Sequence, residues 1–309
     1  MKKTTAAKRL AAEMRAKRGG GKEYAFASWS FTRYNDYRLC PLKARLKHLG
    51  IEGVNDGKKI EEPGSDAMAR GSAIGVLAQI YITGKLLDLG DKEERKKFDE
   101  LIGYYHSDER FAKKVMKGIA GGLLPDELER FKKTFAEMRA LHRKAPQRMV
   151  VEKTWAMRKD WSPTVFDDWN GCAVRVKIDC GNMTAPTRMI IRDWKTGKYR
   201  AEKLEEYVEQ LELYALTAFQ LNDQLEGVEA FLFFLDHGIV YPEPDGEDAK
   251  RLTFVRTDVP RLKKLWDKRT RAMLLDRAFA ARPNRLCQWC HYRKANAAAM
   301  PGGKALCKY

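Results

Sequence analysis

The stretch Met189 to Lys198 reads MIIRDWKTGK, an apolar run that ends in an aspartate and a lysine two places apart. Residues i and i+2 of a strand share a face, so Asp193 and Lys195 stand side by side at a strand end. Such a pair is either an ordinary ion pair or part of a catalytic pair. Its surroundings decide the fold. Upstream, residues 149 to 157 (MVVEKTWAM) and 172 to 180 (CAVRVKIDC) carry the β-branched and aromatic content of strands, with Asn170-Gly171 as a turn between them. Residues 187 to 195 make a third strand. A helix is expected over about 201 to 220, then strands near 228 to 235 and 252 to 256, then a helix over about 258 to 280.

The half before residue 148 reads as helical. Ala73, Leu77 and Ile80 share one face of a helix expected over 66 to 82, and residues 92 to 145 continue in helical pattern. There, Leu124-Pro125-Asp126 forms a helix start. Leu128, Phe131, Phe135 and Met138 make the apolar stripe, and His142-Arg143-Lys144 close the helix with positive charge. Between Ser28 and Gly50, Phe31, Tyr34, Tyr37 and Leu39 fall near helical spacing, and Pro41 interrupts. The order of elements predicts an α/β fold with its sheet centred on residues 148 to 256 and a helical N-terminal half packed onto it.

The 309 residues include 59 Lys and Arg against 42 Asp and Glu, a formal net charge of +17, which favours polyanionic partners, nucleic acid first. Residues 1 to 23 carry eight basic and two acidic side chains before and around a Gly19-Gly20-Gly21 break, as a basic flexible arm would. No run approaches the length of a membrane span, and the first residues lack the apolar centre of a secretory signal, so a cytoplasmic protein is expected.

Asp179 closes the second strand, and a short connection leads to Asp193 and Lys195. Pairing of these strands would gather two carboxylates and an ammonium, and close carboxylates stay ionised together most readily around a cation. Magnesium or manganese suits such oxygen donors. A lysine beside the metal can then orient water or offset charge on a phosphate, which makes phosphodiester cleavage the chemistry expected of the site. On the helix that follows, Tyr207, Gln210 and Tyr214 recur on one face.

Asp179, then Ile191-Arg-Asp193-Trp-Lys195-Thr-Gly197, then Tyr207-x-x-Gln210-Leu-x-Leu-Tyr214-Ala, together resemble the PD-(D/E)XK nuclease superfamily, and within it the RecB-like branch that includes phage exonucleases. Ser30-x-x-x-Tyr34-x-x-Tyr37-x-x-Cys40-Pro41 and Arg70-Gly71-Ser72-Ala73-Ile74 extend the likeness over most of the chain. The resemblance implies a nuclease core, a mixed central sheet flanked by helices, as a single domain over 24 to 309 with a helical insertion at about 86 to 147. It implies that Asp179 and Asp193 bind Mg2+ or Mn2+, that Lys195 assists the attacking water, and that Gln210 and Tyr214 steady the lysine and the DNA backbone. Arg70, Lys198 and Tyr207 would contact DNA, and Trp29, Tyr34, Trp194 and Tyr199 are the aromatic side chains considered for stacking on unpaired bases. The family's helix histidine is replaced by Gly75, and none of His48, His106, His142, His237 and His291 falls there.

Six cysteines accompany a Cys287-x-x-Cys290 spacing, which in an unexported chain points to metal rather than disulfides. The resemblance implies that Cys40, Cys287, Cys290 and Cys307 hold a [4Fe-4S] cluster as a clasp over about 283 to 309. Zn2+ is the alternative metal and His291 an alternative ligand. Cys172 and Cys180 are assigned to packing. The expected activity is a metal-dependent DNA exonuclease of phage or bacterial recombination or replication, acting on single- or double-stranded ends. A single-strand annealing protein is the partner suggested by analogy. A nuclease-fold protein that binds DNA without cutting it, and a metal-stapled interaction module, are the competing readings.

Overall fold

The structure is a computed structural model that describes residues 26–50, 59–60, 62–168, 171–243, 246–303 and 305–309. The basic arm expected over 1 to 23 lies outside them, as does Asn170 of the expected turn. The chain forms two compact units. The larger comprises residues 28–32 and 62–269, and the smaller comprises the described parts of 1–27, 33–61 and 270–309.

In the larger unit the central element is a mixed sheet. Its strands are β1 (Trp29–Ser30), β2 (Met149–Met157), β3 (Pro163–Thr164), β4 (Val174–Ala185), β5 (Arg188–Lys195), β6 (Gly227–Phe234), β7 (Ile239–Tyr241) and β8 (Thr253–Val255). They lie in the order β3-β2-β4-β5-β6-β7, with β1 against β4 and β8 against β6. β2, β4 and β5 form an antiparallel meander, whereas β5 and β6 run parallel with Lys195 opposite Phe234. A parallel pair needs a long crossover, which the helix between them supplies. β4 continues five residues beyond Cys180, the expected end, because Asn182 and Gly181 pair with Ile190 and Ile191 of β5.

Four helices precede the meander: α3 (Asp66–Thr83), α4 (Lys92–Tyr105), α5 (Glu109–Gly121) and α6 (Lys132–Lys144), after α1 (Phe31–Leu39) and α2 (Pro41–His48). Ser65 caps α3 by accepting from Met68 N at 3.2 Å, and Gly84 ends it at φ +65°. Ala73, Ile74, Leu77 and Ile80 of α3 are fully buried in one core with Phe98, Leu101, Phe135 and Trp194. The expected helical run from 92 to 145 is broken. His106 takes a left-handed φ of +45°, and Asp108 then caps α5 through Phe111 N. Pro125 leads into a 3-10 turn over Asp126–Phe131, so α6 begins only at Lys132.

The remaining helices are α7 (Leu204–Leu221) and α8 (Val259–Leu275). α8 stops five residues short of the expected end. Asp276 accepts hydrogen bonds from Ala278 N and Phe279 N, and Phe279 turns to φ +47°.

In the smaller unit, Leu46, Ile60, Tyr292 and Met300 form a small core, and Tyr292 Oη donates to Ile60 O at 2.6 Å. Phe26 meets the edge of Phe279, and Tyr37 Oη donates to Asp276 Oδ2 at 2.8 Å. Among the described residues no helix is long and apolar enough to cross a membrane.

Candidate active site

Strand register builds the site. Val151 pairs with Cys180 and Lys153 with Ile178, and on the other side Cys180 pairs with Arg192. One step along, the same register sets Glu152, Asp179 and Asp193 level across three neighbouring strands. Alternation sends Cys180 and Trp194 into the helical core and turns Asp179 and Asp193 the other way.

Asp193 is 2% exposed. Its Oδ2 lies 2.6 Å from Lys195 Nζ in a close ion pair, and a carboxylate oxygen with one such partner keeps a second lone pair for a further ligand. Asp179 Oδ2 accepts from Trp194 N at 2.7 Å. Burial, then the charges of Asp193 and Glu152, raise the Asp179 carboxyl well above the usual range. Burial opposes the charge of Lys195, yet Asp193, Asp179 and Tyr207 together outweigh it and raise its pKa. Lys195 Nζ donates to Gln210 Oε1 at 2.8 Å, and Gln210 Nε2 donates to Tyr214 Oη at 2.5 Å. Burial, with Asp193 and Asp179 adding to it, holds the Tyr214 phenol neutral far up the pH scale. The structure therefore brings Asp193, Lys195, Gln210 and Tyr214 into one chain of contacts, with Asp179 bonded to the backbone N–H of Trp194 between Asp193 and Lys195. Tyr207 joins it through its ring, which lies 4.4 Å from Lys195 Nζ as a cation–π partner.

The donor set fits a hard divalent cation. Two carboxylates with a buried free lone pair offer oxygen ligands and excess negative charge, which Mg2+ or Mn2+ would relieve. Among the described residues, no three His, Cys, Asp or Glu side chains converge on one point able to hold an ion. The third nearby acid, Glu152, is turned towards Lys177 Nζ at 2.5 Å. A Cβ at Gly75 would stand 3.0 Å from Glu152 Oε1.

Of the residues expected to touch DNA, Lys198 is exposed, but Arg70 is engaged. Its guanidinium makes a bidentate pair with Asp236 at 2.6 and 2.8 Å. Asp236 Oδ2 also accepts from Gly197 N at 2.6 Å, where φ is +86° and glycine is required. Trp29 and Trp194 are not available for stacking. Trp29 lies against Trp266 at 5.5 Å, and Trp194 packs between Phe135 and Phe233. Tyr34 is 7% exposed, and the Tyr199 ring abuts Phe234.

Sequence reasoning missed Glu152, Lys177 and Asp236. Glu152 had a signal, an acid inside the apolar run MVVEKTW. Asp236 had a weaker one: it follows the apolar strand that pairs with β5.

In the smaller unit a cavity of about 230 Å³ is lined by Cys40, Cys287, Cys290 and Cys307, with Leu42 and Leu46. Arg282 N donates to Cys40 Sγ at 3.4 Å and Asn284 N to Cys287 Sγ at 3.3 Å. None of the four is in a disulfide, and His291 is not among the lining residues. Cys172 and Cys180 are buried, as packing residues would be.

No curated protein matches the chain at a significant level. A family model does, that of the PD-(D/E)XK nuclease superfamily, over residues 28–295, and its core agrees with the mixed sheet and flanking helices. The chain belongs to the PD-(D/E)XK nuclease superfamily.

Proposed function

We propose that the protein is a metal-dependent DNA exonuclease of the RecB-like branch, hydrolysing phosphodiester bonds at DNA ends in phage or bacterial recombination or replication. The observation that carries this is the contact chain from Asp193 through Lys195 and Gln210 to Tyr214 beside Asp179. Asp179 and Asp193 would hold Mg2+ or Mn2+. When bound, the ion would lower the pKa of a water and offset charge on the scissile phosphate. Lys195 keeps its proton through its pairing with Asp193 and so serves as a hydrogen-bond donor to a phosphate oxygen. Gln210 and Tyr214 fix its direction, and Lys198 supplies an exposed charge for the backbone. A single-strand annealing protein is the partner we propose by analogy.

The clasp belongs to the same proposal. Four cysteines lining one cavity with none in a disulfide, two of them accepting backbone N–H groups, are the observations that support a [4Fe-4S] cluster.

The test is degradation of end-labelled single- and double-stranded DNA with Mn2+ or Mg2+. Metal-dependent cleavage by the wild type, lost in Lys195→Ala and Asp193→Asn, supports the nuclease. Tight DNA binding with no cleavage in any metal would replace it with the DNA-binding reading.

A further inference from the structure

We propose that Glu152 is the third oxygen ligand of the divalent cation and that Gly75 is the space through which its carboxylate reaches the site. This rests on the metal-dependent nuclease reading above and adds to it a ligand from a different strand.

Glu152 takes φ +50° in the middle of β2. A left-handed glutamate inside a strand is strained, and such strain persists where the surroundings impose it, commonly at functional sites. The ladder pairs recorded between β2 and β4 run on either side of it and skip the step at Glu152 and Asp179. The side chain is 4% exposed, and the ion-pair partner seen for it is Lys177, whose own side chain is 56% exposed. A buried carboxylate held by one half-solvated lysine is poorly compensated, whereas a divalent ion beside Asp179 and Asp193 would compensate it fully.

Gly75 supplies the second observation. Of the atoms that a Cβ there would meet, the nearest three all belong to Glu152, with Oε1 at 3.0 Å. Glycine is a poor choice inside α3 on propensity alone. Its use follows if any side chain at this position would push the carboxylate aside. Glu152 Oε2 faces Lys177 and Oε1 faces the gap over Gly75, so a rotation of the carboxylate away from Lys177 returns that ammonium to water at little cost. The acid from β2 then takes the place of a ligand from the helix.

Mn2+ binding to the full chain without DNA, by titration calorimetry and by the electron spin resonance of free Mn2+, tests this independently of activity. Glu152→Gln, which keeps size and shape, is expected to weaken Mn2+ about tenfold or more. Gly75→Ala, a better helix former, is expected to weaken it as well, because its Cβ displaces the carboxylate. Lys177→Ala is expected to bind Mn2+ as tightly as the wild type or more so. A role confined to the ion pair predicts the opposite pattern: Glu152→Gln and Lys177→Ala lower the melting temperature alike and leave Mn2+ affinity unchanged. Asp193→Asn separates the two levels. If it weakens Mn2+ while Glu152→Gln and Gly75→Ala do not, the third ligand is overturned and the nuclease site stands. If the wild type takes up no Mn2+, or Asp193→Asn leaves binding unchanged, both fall.

Discussion

The proposed role of Lys195 requires it to point one way, and three neighbours set its direction: Asp193 at 2.6 Å, Gln210 at 2.8 Å and the Tyr207 ring at 4.4 Å. Removing the Gln210 amide leaves the ammonium without its neutral acceptor but with its counter-ion. Gln210→Ala is therefore expected to slow cleavage about 10- to 100-fold while DNA affinity changes little, as measured by single-turnover rates beside equilibrium binding. Tyr214→Phe should cost less, because Gln210 keeps its bond to Lys195 when only the phenol oxygen is lost. The i, i+2 spacing of Asp193 and Lys195 and the helical spacing of Gln210 and Tyr214 were legible in the sequence because local geometry alone sets them. The burial that makes the pair chemically useful was not.

At the level of elements, the loop after β5 is held by Asp236, which accepts from Gly197 N, and by His237, which contacts Gly197 O and Tyr199 N. Asp236 ties Arg70 of α3 to Gly197, bringing the helix start and the strand end into register. Its pKa lies below the ordinary carboxylate value, chiefly through the hydrogen bond from Arg70, with burial opposing and the Gly197 N–H assisting. A depressed folded-state pKa contributes stability above the unfolded value of about 4 that is lost as pH falls through the folded one. The wild type should thus lose more stability than Asp236→Asn between neutral pH and pH 3, read as a steeper fall in melting temperature. Gly197→Ala forces a side chain to φ +86° and is expected to destabilise by about 1 kcal/mol or more. Leu77→Ala, in the fully buried face of α3, should cost about 2 to 5 kcal/mol in denaturant titration. Long periodic segments such as α3 and α7 could be read directly. The two-residue β3, the three-residue β7 and the 3-10 turn before α6 could not, since so short an element has no period of its own.

For the molecule as a whole, the net charge of +17 makes DNA binding sensitive to salt. A contact that neutralises about four phosphates gives a log–log slope of about −3.6, measurable by fluorescence anisotropy between 50 and 200 mM salt. In the smaller unit, metal analysis distinguishes the clasp chemistries. About four irons per chain with broad visible absorbance, lost in Cys287→Ala, is the expected result, and one zinc in a colourless protein would replace the cluster.

The sequence by itself determined the longer strands and helices and the placing of an acid and a lysine at the end of a buried strand. Those features are set by spacing along the chain. Tertiary structure decided which charges meet. Glu152 reaches the level of Asp179 through strand pairing, and Arg70 meets Asp236 across 166 residues. It also decided that Trp29 and Trp194 belong to packing, because burial depends on what the rest of the chain lays over a side chain and no local pattern encodes that.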